Sequence, residues 1–325
     1  MQKIKADLKA RHFEKIYLFF GKESYLCRAY KKQFIKAIVN EGDDMNYSYF
    51  ENAIDKLLEI ENIADTMPFF ADRRLVVLEN SGLFKKENDF ADYIPSIPDT
   101  TTIILIDSEV DKRSRLYKAI SKNGYACEFN RQSPAELRDF VCRWVRLAGK
   151  QLSTGLADLL ISTVGDDMNT IVNEADKVIA YCGEREVITK DDIEAMCTPL
   201  AEAKVFDLVD ALITRNKSKS FEIYADLLAM RESGFGILAL IRKNYQRLLS
   251  VRELEDQDLG ISEIAGRIQA QDWLVRKMKT QIRGYSPKKL QRAVEETVNT
   301  EYAIKTGDIG EQLGLEILLA NLLNI

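Results

Sequence analysis

Three short runs of uninterrupted apolar side chains, Ile16-Tyr17-Leu18-Phe19-Phe20, Leu75-Val76-Val77-Leu78 and Ile103-Ile104-Leu105-Ile106, constrain the fold of this chain more than any other feature. Runs this short, with no polar residue alternating through them, read as strands covered on both faces. Tyr47 to Phe50 supplies a further strand candidate. Between the runs the apolar period becomes that of a helix, through Leu26, Tyr30, Phe34 and Ile38, and again through Ile54, Leu57, Leu58, Ile63 and Met67. Doubly covered strands alternating with helices predict a parallel sheet in an α/β domain.

After Phe129 the strand signals stop. Ser133-Pro134-Ala135-Glu136 combines an N-cap serine, a proline at the first helical position and a capping-box glutamate, so a helix is expected from there through Trp144 to Leu147. Ser153 to Val164, Asp167 to Tyr181 and Asp191 to Cys197, the last opened by Thr189-x-x-Asp192, predict a compact three-helix unit. Thr198-Pro199 breaks the pattern, and amphipathic segments from Val205 to Leu323 then predict a helical bundle. The expected fold class is therefore α/β plus all-α. The expected domains are residues 1–131 (α/β), 132–200 (small, helical) and 201–325 (helical bundle).

A length of 325 residues fits two or three such cores. The net charge of -5 gives no global hold on nucleic acid or anionic lipid, so any DNA contact requires a local basic surface inside a larger assembly. Cys27, Cys127, Cys142, Cys182 and Cys197 are scattered, with no C-x-x-C pair, and are expected to be reduced packing residues in a cytosolic protein, with no metal site. The first fifteen residues alternate charged and apolar side chains, so no signal peptide is expected. The longest uncharged apolar runs fall far short of the roughly 20 residues a spanning helix needs, and a cytoplasmic location without membrane contact is expected.

The strand, loop and helix at Ile16 to Val39 stand where a nucleotide-binding protein carries its phosphate loop. Gly21-Lys22-Glu23-Ser24-Tyr25-Leu26 has one glycine where G-x-x-x-x-G-K-[ST] needs two, and Glu23 splits Lys22 from Ser24 and would repel a phosphate. It reads as a helix N-terminus with an acid favourably placed on the dipole. Glu79 and Asp107, at strand ends, could hold Mg²⁺ only beside a working phosphate loop, and read as residues that solvate their loops. His12, the single histidine, lies in a charged segment and is expected to be exposed, which removes Ser-His-Asp and Cys-His arrangements. No catalytic residue, cofactor or metal is expected.

Ala64 to Glu79 ends a helix-period segment in Met67-Pro68-Phe69-Phe70 just before a buried-type strand. Pro68 disfavours helix at Met67, so Phe69 and Phe70 fall on a loop. Rings there either pack under the following strand or are covered by another protein. Arg73 and Arg74 open that strand, either as a solvated edge or as charges that steer toward an acidic protein surface or DNA.

Phe19 to Leu26 and Met67 to Val76, with Asp111-Lys112-Arg113, Asn173 to Lys177, Val205 to Ala211 and Ala303 to Gly307, follow one another in a fixed order over nearly the whole chain. The first is similar to "Y-L-x-x-G-x-[DE]-x-[YF]-L" and the second to "P-F-F-x-x-R-R-L-V". Together they resemble the bacterial DNA polymerase III delta subunit family, the clamp-opening members of the clamp loader. The resemblance implies an AAA+-like α/β domain with a degenerate nucleotide site, a small helical lid and a helical collar that joins a ring of related subunits. It implies the sliding clamp, the other loader subunits and primed DNA as partners, with ATP handled by neighbouring subunits. It also implies that Met67, Pro68, Phe69 and Phe70 enter an apolar pocket on the clamp and help hold one clamp interface open.

Two readings of other classes compete with this one. An active nucleotide hydrolase would use Lys22 and Glu79 and bind Mg-ATP tightly. A helical nucleic-acid scaffold would use Lys288, Lys289, Arg292 and Lys305 and show strongly salt-dependent DNA binding without a partner. Ser114-Arg115 is faintly similar to an arginine-finger motif, but on a helix over Arg113 to Ile120 it reads as surface charge.

Overall fold

The three apolar runs become the centre of a five-stranded, all-parallel sheet. The computed structural model describes residues 1–86, 88–270 and 272–325, and their contacts divide the chain into two units, Met1–Ser133 and Pro134–Ile325. In the first unit the elements run α1 (Gln2–Ala10), β1 (Ile16–Phe20), α2 (Ser24–Ile38), β2 (Tyr47–Glu51), α3 (Leu57–Asp65), β3 (Arg74–Glu79), α4 (Phe90–Tyr93), β4 (Thr101–Asp107), α5 (Arg115–Asn123) and β5 (Tyr125–Glu128). The strand order is β2-β3-β4-β1-β5, with Leu18 opposite both Leu105 and Ala126, and Val76 opposite Ile103.

Side chains alternate across each strand, so the continuous apolar runs supply two cores at once. Ile16, Leu18, Val76, Leu78, Ile103 and Leu105 pack against α3, α4 and α5. Tyr17, Phe19, Leu75, Val77, Ile104 and Ile106 face the other way, onto Ile4 of α1 and Cys27, Tyr30 and Phe34 of α2. The chain moves outward from β1 to β2, then steps back through β3 and β4 and over β1 to β5. Right-handed crossovers in opposite directions put their helices on opposite faces, as the two cores record. Progression reverses at β1, which leaves a crevice beyond the carboxyl ends of β1 and β4.

Among the described residues unit two is helical, with one isolated bridge between Gln151 and Val187. It comprises α6 (Pro134–Leu147), α7 (Thr154–Val164), α8 (Met168–Cys182), α9 (Lys190–Met196), α10 (Ala201–Ile213), α11 (Lys217–Ala229), α12 (Gly234–Glu255), α13 (Ile261–Ile268), α14 (Asp272–Gln281), α15 (Pro287–Thr306) and α16 (Glu311–Leu322). The expected starts are set by side-chain caps: Ser153 on α7, Asp167 on α8, and a full capping box between Thr189 and Asp192 on α9. Arg185 grips the Asp192 carboxylate and, with the Thr189 amide, holds its pKa well below the usual carboxylate range. Leu208, Val209 and Leu212 of α10 are buried in this unit's own core with Ile241 and Leu248 of the long α12.

Candidate functional site

The crevice at the end of β1 has no room for a phosphate cradle. Three residues, Gly21, Lys22 and Glu23, join β1 to α2, whereas a phosphate loop needs a longer glycine-rich arc to bring several N–H groups onto one anion. The chain leaving β5 laps over this short loop. Phe129 donates its N–H to the Phe20 carbonyl (2.6 Å) and accepts the Glu23 N–H on its own carbonyl (2.9 Å). Gly21 has φ +116°, and a Cβ there would lie 2.4 Å from the Phe129 oxygen, so this glycine serves chain-on-chain packing. Glu23 is buried and Lys22 points outward.

The two acids near the crevice are committed to the protein itself. Glu79 pairs with Lys31 at 2.5 Å. Asp107 accepts the Ser81 hydroxyl (2.6 Å) and amide (2.9 Å), and its burial raises its pKa. Among the described residues no cluster of acids, histidines and cysteines could hold a metal ion.

The Met67–Phe70 segment has the opposite character. Helix α3 stops at Asp65, with Thr66 extended at φ −71°, ψ 128°, two residues ahead of the proline that forbids its continuation. Beyond it Met67 is 76%, Phe69 56% and Phe70 92% exposed. Phe70 has φ +49°, a left-handed conformation that costs a non-glycine residue about 1–2 kcal/mol. Its ring rests edge-on against that of Phe69, with centroids 4.6 Å apart. The rings are therefore not core, and the first of the two alternatives for them fails.

What holds the segment is polar. The Asn46 carboxamide accepts the Phe69 N–H (2.7 Å) and donates to the Phe69 carbonyl (2.8 Å), pairing with that residue as a neighbouring strand would. Arg74 departs from the expectation of a surface charge. It is 7% exposed, and its guanidinium donates to the carbonyls of Thr66 (3.1 Å), Met45 (2.9 Å) and Met67 (3.4 Å). Arg73 is half-buried and donates to the Thr101 carbonyl and Thr102 hydroxyl. One guanidinium thus ties the backbone of Met45 to that of Met67, and the Met45 side chain is also exposed. Asn46 lies 23 residues upstream of the Phe69 backbone it bonds, and its Asp43-Asp44-Met45-Asn46 turn carries no signal of these bonds in sequence.

Lys288, Lys289, Arg292 and Lys305 do not form one face of α15. Lys288, Lys289 and Arg292 are exposed at the start of α15, but Lys305 lies about 20 Å further along the helix and pairs with Glu301. Ser114 caps α5, and Arg115 pairs with Asp92 at the surface. His12 is exposed. All five cysteines are free thiols.

A family model described as "DNA polymerase III, delta subunit" matches residues 17–130, and one described as "DNA polymerase III delta subunit, C-terminal domain" matches residues 202–322. The chain belongs to this family. It is 29% identical over 330 residues to DNA polymerase III subunit delta of Bacillus subtilis (strain 168), covering 98% of this chain and 95% of that one. It is 20% identical over 301 residues to the probable DNA polymerase III subunit delta of Aquifex aeolicus (strain VF5), covering 86% and 83%. Among solved structures, the Bacillus subtilis DNA clamp loader delta protein matches over 100% of this chain and 99% of its own, at 27% identity and a TM-score of 0.59. As a delta subunit of DNA polymerase III, the chain is part of a multi-subunit complex. No helix among the described residues is long and apolar enough to cross a membrane.

Proposed function

We propose that this delta subunit binds the sliding clamp and opens its ring, or holds it open, for loading onto primed DNA during replication, without hydrolysing nucleotide itself. Met67, Pro68, Phe69 and Phe70 form the anchor, and Met45 extends it. The observation that carries this reading is Phe70, a ring left in water on a backbone conformation that costs energy. A large apolar side chain kept so has its use in a partner's pocket. Residues 1–131 act as the clamp-binding AAA+-like domain, 132–200 as a lid and 201–325 as the collar that joins the other loader subunits. Primed DNA is contacted within that complex, in the bacterial cytoplasm. Titrating the purified full chain with the sliding clamp of the same organism, without nucleotide, tests the reading: saturable binding supports it, and its absence at micromolar concentrations overturns it.

The same reading predicts no tight Mg-ATP binding by the isolated chain. The Glu23 N–H is already given to the Phe129 carbonyl, and Glu23 would bring negative charge to a phosphate. Calorimetric titration with Mg-ATP is expected to give no saturable heat up to about millimolar ligand, a ΔG° weaker than about −4 kcal/mol. Micromolar affinity would contradict it and favour the hydrolase reading.

A further inference from the structure

We propose that Asn46 and Arg74 are positioning residues that hold the clamp-binding segment in its binding conformation before the clamp arrives. The proposal rests on the reading of Met67, Phe69 and Phe70 given above.

Asn46 is 1% exposed, and its amide donates in two directions: to Asp43 Oδ2 (2.7 Å) and to the Phe69 carbonyl (2.8 Å). The other oxygen of Asp43 accepts the Met45 and Asn46 N–H groups, each at 3.0 Å, so the turn aims the carboxamide. With Oδ1 taking the Phe69 N–H at 2.7 Å, the side chain fixes both polar groups of the residue that lies between Pro68 and the left-handed Phe70. Arg74 acts on the other half of the segment. Its own N–H is tied to the Thr100 carbonyl (2.9 Å), which places it at the rigid start of β3, and its guanidinium reaches the carbonyls of Thr66 and Met67.

Every carbonyl and amide these two side chains satisfy belongs to two loops whose apolar side chains face solvent. The segment's own contacts could not do this work, since the Phe70 ring rests on the neighbouring ring of Phe69. Restricting the loop before docking removes an ordering cost that the complex would otherwise bear, so affinity depends on residues that need not touch the clamp.

The test is a double-mutant cycle in the full chain, reading clamp affinity without nucleotide alongside thermal unfolding. Asn46→Ala is expected to weaken clamp binding about tenfold, as loss of two well-formed hydrogen bonds to one residue would. In a Phe69→Ala background the same change is expected to cost about threefold or less, because the ring on the residue it holds is gone. An equal loss in both backgrounds, or wild-type affinity with only a lowered midpoint, would overturn the proposal. Arg74→Lys keeps the charge but loses the planar fork; it is expected to follow the same pattern, and it carries the cycle if Asn46→Ala does not fold. Phe70→Ala binding as tightly as wild type would instead remove the anchor reading itself, a result distinct from either failure of the positioning role.

Discussion

Phe70→Ala is expected to weaken binding to the sliding clamp by about 2 kcal/mol, roughly thirtyfold, while leaving the thermal midpoint nearly unchanged. A ring that is 92% exposed supports almost no packing in the free chain, so its truncation opens no cavity. It also sits at φ +49°, a strain the alanine variant would share, so the substitution isolates the ring from the backbone. In the complex the same ring is the sort of aromatic anchor that dominates interfaces. Phe69→Ala is expected to show a similar loss of affinity with a somewhat larger stability cost, because its ring is nearly half covered and supports that of Phe70. Affinity and unfolding measured together on both variants decide the matter. Wild-type affinity for both would show that the rings do not enter the clamp.

A pair of substitutions in the C-terminal helices is expected to abolish assembly with the other loader subunits. Leu208, Val209 and Leu212 are fully used by the unit's own core, and Phe206 packs against it. Exposed apolar side chains lie elsewhere, among them Val298 and Tyr302, one turn apart on α15, and Leu313 and Ile317, one turn apart on α16. These two helices run antiparallel in contact, with Gly314 against Ile304 and Asn321 donating to Glu296. Tyr302→Glu combined with Ile317→Glu places two charges where an apolar interface would have to desolvate them. Association with the other subunits should fall by about a hundredfold or more. Folding should change little, since Tyr302 is 68% and Ile317 43% exposed. Clamp binding, which the proposed function assigns to the first unit, should be unchanged. Normal incorporation of the doubly substituted chain would place the assembly surface on other helices.

The strands that sequence reveals most plainly are β1, β3 and β4, buried on both faces, because a short continuous apolar run flanked by helical periods fits little except a doubly covered strand. The further candidate Tyr47 to Phe50 forms β2, an edge strand with Phe50 alone buried. Strand β5 is silent in sequence for the converse reason. It is an edge strand with half-buried Tyr125 and Ala126, and its role is read from Phe129 folding over the β1 loop. Helix α1 is hidden because polar contacts fasten it: besides Ile4, its buried residue is Asp7, which accepts the Tyr17 hydroxyl at 2.8 Å.

At the site, Pro68 and the paired phenylalanines mark the segment in sequence, since a proline-terminated helix followed by aromatics needs a cover. Composition cannot say which cover, and the exposures exclude the chain's own strand. Asn46 is invisible in sequence because it acts across 23 residues through a carboxamide in an ordinary turn. Arg74 misleads for a related reason, as a buried guanidinium satisfied by three carbonyls looks like any surface charge when its partners are unknown.

Whether this chain opens the ring is decided by release of a labelled sliding clamp from closed circular DNA, with the purified full chain and no ATP. Such a ring leaves the circle only if an interface opens. The chain is expected to accelerate release without nucleotide, and Phe70→Ala to remove most of the acceleration. Release that stays at the spontaneous rate with saturating wild-type chain, or that requires ATP, would contradict the clamp-opening role.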